Sequence, residues 1–380
     1  MKEMQEIVKA FDMASKNGLE TALATVVHVE GSSYRRAGAR MLVTEDGTIT
    51  GAISGGCLEG DALQKAQHVI AKRKPMLVTY DTTDDNDPEL SVGLGCNGII
   101  HILIEPIDIG NPENPIQLFK TFLSTRQAAV LVTLFSVKAK TAEQPGTCFF
   151  INEEGDIRGD LAEESLFKTL LSDADKVLIN QKSITKIYRS EDELTGFVEL
   201  LKPAVNLIVA GAGNDAIPLM QLTKILGWKM TIVDCRSHYA TEERFPGVRK
   251  IIATDPVDAL SQLSPDERSA IILMTHNYKY DLSMLRELIP LQIPYIGLLG
   301  PRKRANKMMQ DLRSEGLIIT EEQLKHIYGP VGLDIGAESP DEIALSVIAE
   351  IKSVFSGKSG THLREKQEPI HERESEIIDH

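Results

Sequence analysis

Apolar positions along this chain recur with two different periods, and each change of period marks an element. Met4, Ile7, Val8 and Phe11 fall at helical spacing and the pattern stops at Asn17-Gly18, which predicts an opening helix. Thr21 to Val29 is rich in valine, alanine and threonine and predicts a strand. Arg40 to Thr44 predicts a second, and the turn Glu45-Asp46-Gly47 leads into a third over Thr48 to Ile53. After Ser54-Gly55-Gly56-Cys57 the helical period returns at Leu58, Ala62, Leu63, Ala66, Val69 and Ile70. Leu77 to Tyr80 and Ile99 to Ile104 predict strands on either side of the acidic run Asp81 to Glu89 and the turn Gly93-Leu94-Gly95-Cys96-Asn97-Gly98. From Ile116 to Gly196 the patterning weakens, with strands expected at Ala129 to Phe135 and Cys148 to Ile151.

Pro203 introduces a different rhythm. Asn206 to Ala210, Met230 to Asp234, Lys250 to Ala253, Ser269 to Thr275 and Pro294 to Leu298 are apolar stretches with helical patterns between them, the signature of a parallel sheet. Ser339-Pro340-Asp341-Glu342 carries the residues of an N-terminal cap, and Ile343, Val347, Ile348 and Ile351 continue it as a closing helix. Beyond Ser356 too little apolar surface remains to offset ordering entropy, which predicts a mobile charged tail. The expected fold class is α/β: an N-terminal α+β domain over 1–196, a Rossmann-like parallel-sheet domain over 203–355, and a tail over 356–380.

Composition agrees with two cores, since 380 residues with 42% hydrophobic content exceed one ordinary core. The net charge of −14 opposes long-range attraction to nucleic acid or to an anionic membrane, so any anionic ligand has to meet a local basic patch. Cys57, Cys96, Cys148 and Cys235 form neither a zinc-type pair nor a disulfide framework and read as reduced thiols. The N-terminal stretch lacks the apolar core of a signal peptide and no apolar run nears the roughly 20 residues of a membrane span, so a cytoplasmic location is expected.

Four segments carry candidate chemistry. Gly31 to Arg40 gathers Arg35, Arg36 and Arg40 with two hydroxyls and two glycines. Arginines grip phosphate bidentately, and the competing reading is salt bridges to the acids at Asp84 to Asp87. Gly55-Gly56-Cys57 places a thiol beside a helix N-terminus, where the dipole favours the thiolate that binds soft metals or carries sulfur. Cys96 sits in a second glycine-rich turn; Cys148 and Cys235 read as core. In the second domain, Gly211, Gly213 and Ala216 form a GxGxxA between strand and helix, with Asp234 ending the next strand where a ribose hydroxyl would be gripped. That pattern suits a nucleotide, or else simply permits the turn. His276 and Arg302 fall at the ends of later strands, where open α/β sheets place ligands.

GSSYRRAGARML, SGGCLEGDAL, GLGCNGIIHILIEP, GAGNDAIPL, LGWKMTIVDCR with RFP, MTHNYKYD, YIGLLGPRKR and GLDIGAESPDEIALSVIAEI together resemble the xanthine dehydrogenase accessory factor (XdhC/CoxI) family, in order from about residue 5 to 355. Tyr34 departs from the family pattern by replacing a proline, and Asn97 by replacing a glycine. The resemblance implies a protein that binds molybdenum cofactor and protects it. It also implies support for sulfuration with a cysteine desulfurase and delivery to an apo-xanthine dehydrogenase or related hydroxylase of purine catabolism, as a chaperone rather than a catalyst. It points to Cys57, then Cys96, as ligand thiols and to Arg35, Arg36 and Arg40 as phosphate partners. A homodimer is expected on general grounds. Two other readings are an NAD(P)-dependent oxidoreductase resting on the glycine loop and Asp234, and a docking scaffold for the hydroxylase.

Overall fold

The computed structural model describes residues 1–82, 98–138, 144–189, 191, 193–253, 255–367 and 375–377. They divide into two compact units, one built from Glu3–Pro203 and the other from Ala204–Glu365.

The chain opens with helix α1 (Lys2–Lys16), which buries Met4, Ile7, Phe11 and Ala14 on one face, as the spacing of these apolar residues requires. A first sheet follows, made of β1 (Thr21–Gly31), β2 (Arg40–Thr44), β3 (Ile49–Gly51), β4 (Met76–Asp81) and β5 (Gly98–Pro106), antiparallel throughout in the order β3-β2-β1-β5-β4. Helix α2 (Glu59–Lys72) lies between β3 and β4 in the chain and packs Ala62, Ala66, Val69 and Ile70 into the core beneath β1 and β5. The third strand is shorter than the expected Thr48 to Ile53, because the chain leaves the sheet after Gly51 to enter the loop that carries Cys57.

The weakly patterned stretch holds more structure than its sequence announced. Helix α3 (Pro115–Ser124) starts at Asn114, whose side chain accepts from the Ile116 and Gln117 N–H groups. After it come β6 (Ala129–Ser136), β7 (Gly146–Asn152), β8 (Ile157–Gly159), helix α4 (Glu164–Asn180), β9 (Ile184–Arg189) and β10 (Leu194–Leu201), a second antiparallel sheet ordered β9-β10-β6-β7-β8. Within the expected tail, Ser375–Ile377 pairs in parallel with β9. Polar links join the sheets of this unit: Arg40 of β2 pairs with Glu199 of β10, and Glu105 of β5 accepts from the Thr147 N–H at 2.6 Å and its hydroxyl at 2.9 Å.

The second unit is one six-stranded sheet. Its elements are β11 (Asn206–Ala210), α5 (Ala216–Leu226), β12 (Lys229–Asp234), β13 (Arg249–Ile252), α6 (Pro256–Ser261), β14 (Ser269–Leu273), α7 (Tyr278–Leu288), β15 (Tyr295–Leu298), α8 (Arg302–Ser314), α9 (Glu321–Leu324), β16 (Ile327–Tyr328) and α10 (Pro340–Phe355). All strand pairs are parallel, in the order β13-β12-β11-β14-β15-β16. The chain moves outward one way through β12 and β13 and then the other way from β14, so β11 and β14 flank a topological switch point, where such sheets open a crevice. One apolar cluster covers each face, with Ile208, Ile271 and Met308 on one side and Leu207, Ile272 and Val347 on the other. Ser339 forms the full capping box with Glu342 that begins α10.

Candidate functional site

The loop from Ala52 to Leu58 is shaped by one hydroxyl and one carboxylate. Ser54 Oγ accepts from the Gly56 and Leu58 N–H groups, each at 3.1 Å, and donates to Glu59 Oε2; Glu59 Oε1 accepts the Ser54 N–H at 2.8 Å and the Ile53 N–H at 3.2 Å. Burial works against a charged Glu59, yet these donors outweigh it and hold its carboxyl below the ordinary range. Gly56, at φ +113°, makes a turn that a side chain would resist. The result is that Cys57 stands exposed two residues ahead of α2, its thiol 3.5 Å from the Ser54 hydroxyl.

Tyr34 and Arg35 face the same loop, and with Ser54, Cys57 and Thr82 they line a narrow cleft with about 10 Å³ of room. The Tyr34 ring lies over Gly55, where a Cβ would come within 3.4 Å of it. The three arginines separate by role. Arg35 pairs with Glu3 of α1. Arg36 is exposed, and among the described residues its guanidinium has no partner. Arg40 is buried at 4% exposure and forms a two-pronged pair with Glu199, with Nη1 also donating to the Gly38 carbonyl at 2.9 Å. It was expected to contact phosphate, but its charge is spent inside the first unit, where it joins the two sheets.

Cys96 and the acids Asp84 to Asp87 lie outside the described residues. The segment that holds them is flanked by Thr82 and Gly98, which are joined by hydrogen bonds of 2.6 and 3.1 Å, and Thr82 lines the cleft. Cys148 sits in β7 with its sulfur donating to the Gly146 carbonyl at 3.3 Å; burial first, and Glu105 second, push its thiol up to about 12. Cys235 packs against one apolar cluster of the second unit.

In the second unit the glycine loop follows β11. Gly211, at φ +123°, passes so close to the next crossover that a Cβ would lie 2.5 Å from the Met274 carbonyl oxygen, whereas Gly213 faces open space. Ala216 begins α5 and is fully buried. Asp234 is 1% exposed and accepts the Ala212 N–H at 2.7 Å, so the acid expected to meet a ribose instead pins the loop. His276 adopts φ +60° and stands 3.8 Å from Asp215. Arg302 is exposed in the first turn of α8.

Sequence reasoning passed over Asp281. This fully buried carboxylate in the first turn of α7 accepts the Thr275 hydroxyl at 2.6 Å and Arg304 Nη2 at 2.7 Å, tying the loop after β14 to the first turn of α8. Its neighbours in sequence give it the look of an ordinary surface acid on a helix, so no local signal marks it. Among the described residues no cluster of three histidine, cysteine or acidic side chains could hold a metal ion, and no helix is long and apolar enough to cross a membrane.

Known proteins share this arrangement. Residues 14–81 match the XdhC and CoxI family, and residues 207–351 match the XdhC Rossmann domain. A protein of Bacillus subtilis (strain 168), named as a probable subunit of xanthine dehydrogenase, is 31% identical over 87% of this chain and 92% of its own length. The "Molybdenum cofactor insertion chaperone PaoD" of Escherichia coli (strain K12) is 24% identical over 90% of this chain and 85% of its own. The crystal structure of a xanthine dehydrogenase from Bacillus halodurans superposes with a TM-score of 0.74 at 28% identity, covering 94% of this chain and 98% of that one. With both segments matched in order and a relative aligned over nearly its whole length, this chain belongs to the XdhC and CoxI family of accessory factors.

Proposed function

We propose that the chain takes molybdenum cofactor as cargo at the Cys57 cleft and passes it to an apo-xanthine dehydrogenase or a related hydroxylase. In the same reading a cysteine desulfurase supplies the sulfur of the sulfurated form, and the protein works as a homodimer in the cytoplasm. The observation that carries the reading is the exposed Cys57 thiol, held in a loop fixed by Ser54 and Glu59 and facing Tyr34 and Arg35 across one cleft.

The donor set fits such a cargo. A thiolate suits a soft metal centre, the exposed guanidinium of Arg36 beside the lining residue Arg35, with no partner among the described residues, suits a phosphate, and an exposed aromatic ring such as Tyr34 offers a face to a flat heterocycle. The cleft offers only about 10 Å³ of room, roughly that of one water molecule, against the roughly 300–1,000 Å³ of ordinary ligand pockets, so the cargo would rest against its mouth rather than inside it. Arg40 has no part in this, because moving it would strand Glu199.

Reconstitution tests the proposal: purified protein is incubated with molybdenum cofactor and an apo-hydroxylase, and hydroxylation is assayed. Activation beyond that by free cofactor is expected for the native chain, and a return to the free-cofactor level for Cys57→Ala. A native chain no better than free cofactor would refute delivery.

A further inference from the structure

The second unit carries a cluster that the cofactor-handling reading does not use, at the C-terminal ends of β11 and β12. In a dinucleotide fold the acid ending the second strand grips the ribose hydroxyls. Asp234 has no capacity left for this. A carboxylate offers about four acceptor sites. Here Oδ1 accepts from Arg236 N and Nε, both at 2.9 Å, and Oδ2 accepts from Ala212 N at 2.7 Å and Arg236 Nη2 at 2.9 Å. Burial opposes its charge, but these donors prevail and keep the carboxyl below its ordinary value, so it stays an acceptor already in use.

What the corner offers instead is cationic. The Arg236 side chain is 38% exposed and its guanidinium carbon lies 4.2 Å from the centre of the Tyr239 ring. Arg244 lies 5.4 Å from the same ring centre and donates to the Ala212 carbonyl at 3.0 Å and the Asn214 side chain at 3.1 Å, so it leans on the glycine loop itself. Two guanidinium groups and an aromatic ring therefore border the loop whose Gly213 faces open space. Of the neighbouring acids, Glu242 pairs with Lys250, Asp215 stands 3.8 Å from His276, and Glu243 is exposed beside Arg244.

We infer that this corner binds a nucleotide whose ribose carries a phosphate, of the 2′-phosphoadenosine class found in NADP(H), in preference to one with a free ribose diol. Of the five N–H donors of a guanidinium, Arg236 spends two on Asp234; the remaining three match phosphate oxygens. A free diol would need the acceptors that Asp234 has already committed. Arg244 and the start of α5 are placed for the phosphates attached at the ribose 5′ end, as glycine loops of this kind are used. The inference goes beyond the cofactor reading and does not rest on it, since no group of the Cys57 loop takes part.

Calorimetric titration of the full chain with 2′,5′-ADP against 5′-AMP, and with NADPH against NADH, tests it. The phosphorylated member of each pair should bind roughly tenfold tighter or better, the worth of a charge-assisted contact. Arg236→Gln should abolish that preference, while Arg244→Gln should weaken all ligands together and leave the preference intact, with thermal unfolding confirming that both variants are folded. Equal affinities within each pair, binding of none of the four, or a preference that survives in Arg236→Gln would overturn the inference. None of these outcomes bears on whether Cys57 holds molybdenum cofactor, which the reconstitution assay reads separately.

Discussion

Each unit contains a glycine-bearing loop that runs from a strand into a helix, and in both a carboxylate pins the loop by accepting backbone N–H groups. Glu59 does this through the Ile53 and Ser54 N–H groups in the first unit, and Asp234 through the Ala212 N–H in the second. The loops differ in what the pin leaves exposed. Glu59 and Ser54 together present a thiol, whereas Asp234 presents an arginine that it has itself oriented. Similar backbone devices thus leave a thiol exposed in one place and a guanidinium in the other, and the side chain beside the pin decides which.

The largest effect that sharpens this comparison concerns two arginines from one segment. Arg40→Ala leaves Glu199 buried without its partner and should cost the first unit about 3–5 kcal/mol, read by denaturant unfolding. Arg36→Ala removes an exposed guanidinium without a partner among the described residues and should stay within about 0.5 kcal/mol. If the two losses were equal, the division between a buried, paired arginine and an exposed one would fail.

The thiols give the next contrast. An alkylating agent at mildly alkaline pH should label Cys57 about a hundredfold faster than Cys148, because only thiolate reacts and the Cys148 thiol is pushed up to about 12. Mass spectrometry of timed samples reads the ratio, and comparable rates would remove the reason for preferring Cys57.

Smaller effects follow from the pins themselves. Asp234→Ala strands the Ala212 N–H and should cost about 2 kcal/mol, and Glu59→Ala, at a half-buried site, about 1 kcal/mol. Both carboxyls have folded pKa values below their ordinary 3.8 and 4.5, so their stabilisation is present above those values and is lost as pH falls through the lower folded ones. The native-minus-variant difference in unfolding free energy should therefore be flat from pH 7 to about pH 5 and shrink in more acid solution. A difference that grows on acidification would contradict the assignment.

Much of this was legible along the chain, and the exceptions share a cause. The five strands expected after Pro203 appear at β11 to β15; β14 and β15 are buried along their whole length and β11 from Leu207 onward, and they read as apolar runs, whereas β13 is a largely exposed edge strand. Leu194–Leu201 escaped notice because Gly196 and Glu199 interrupt it; only the fold shows that Glu199 meets Arg40, 159 residues away. Helix α3 announced itself through Asn114-Pro115, a cap signal too short to stand out in a weakly patterned stretch. At the candidate sites, residue types were readable but their commitments were not. Arg40 and Asp234 carry the right chemistry for ligands and are occupied by Glu199, Ala212 and Arg236, while Asp281 looks solvent-facing in sequence and is fully buried.

The central claim is tested most directly by titrating molybdenum cofactor into the native chain, Cys57→Ala and Cys148→Ala, and measuring molybdenum retained per protein after gel filtration. Retention by the native chain and by Cys148→Ala, with loss of at least tenfold in affinity for Cys57→Ala, is the predicted result, a thiolate–metal contact being worth more than about 1.4 kcal/mol. Equal retention by Cys57→Ala and the native chain would contradict the account.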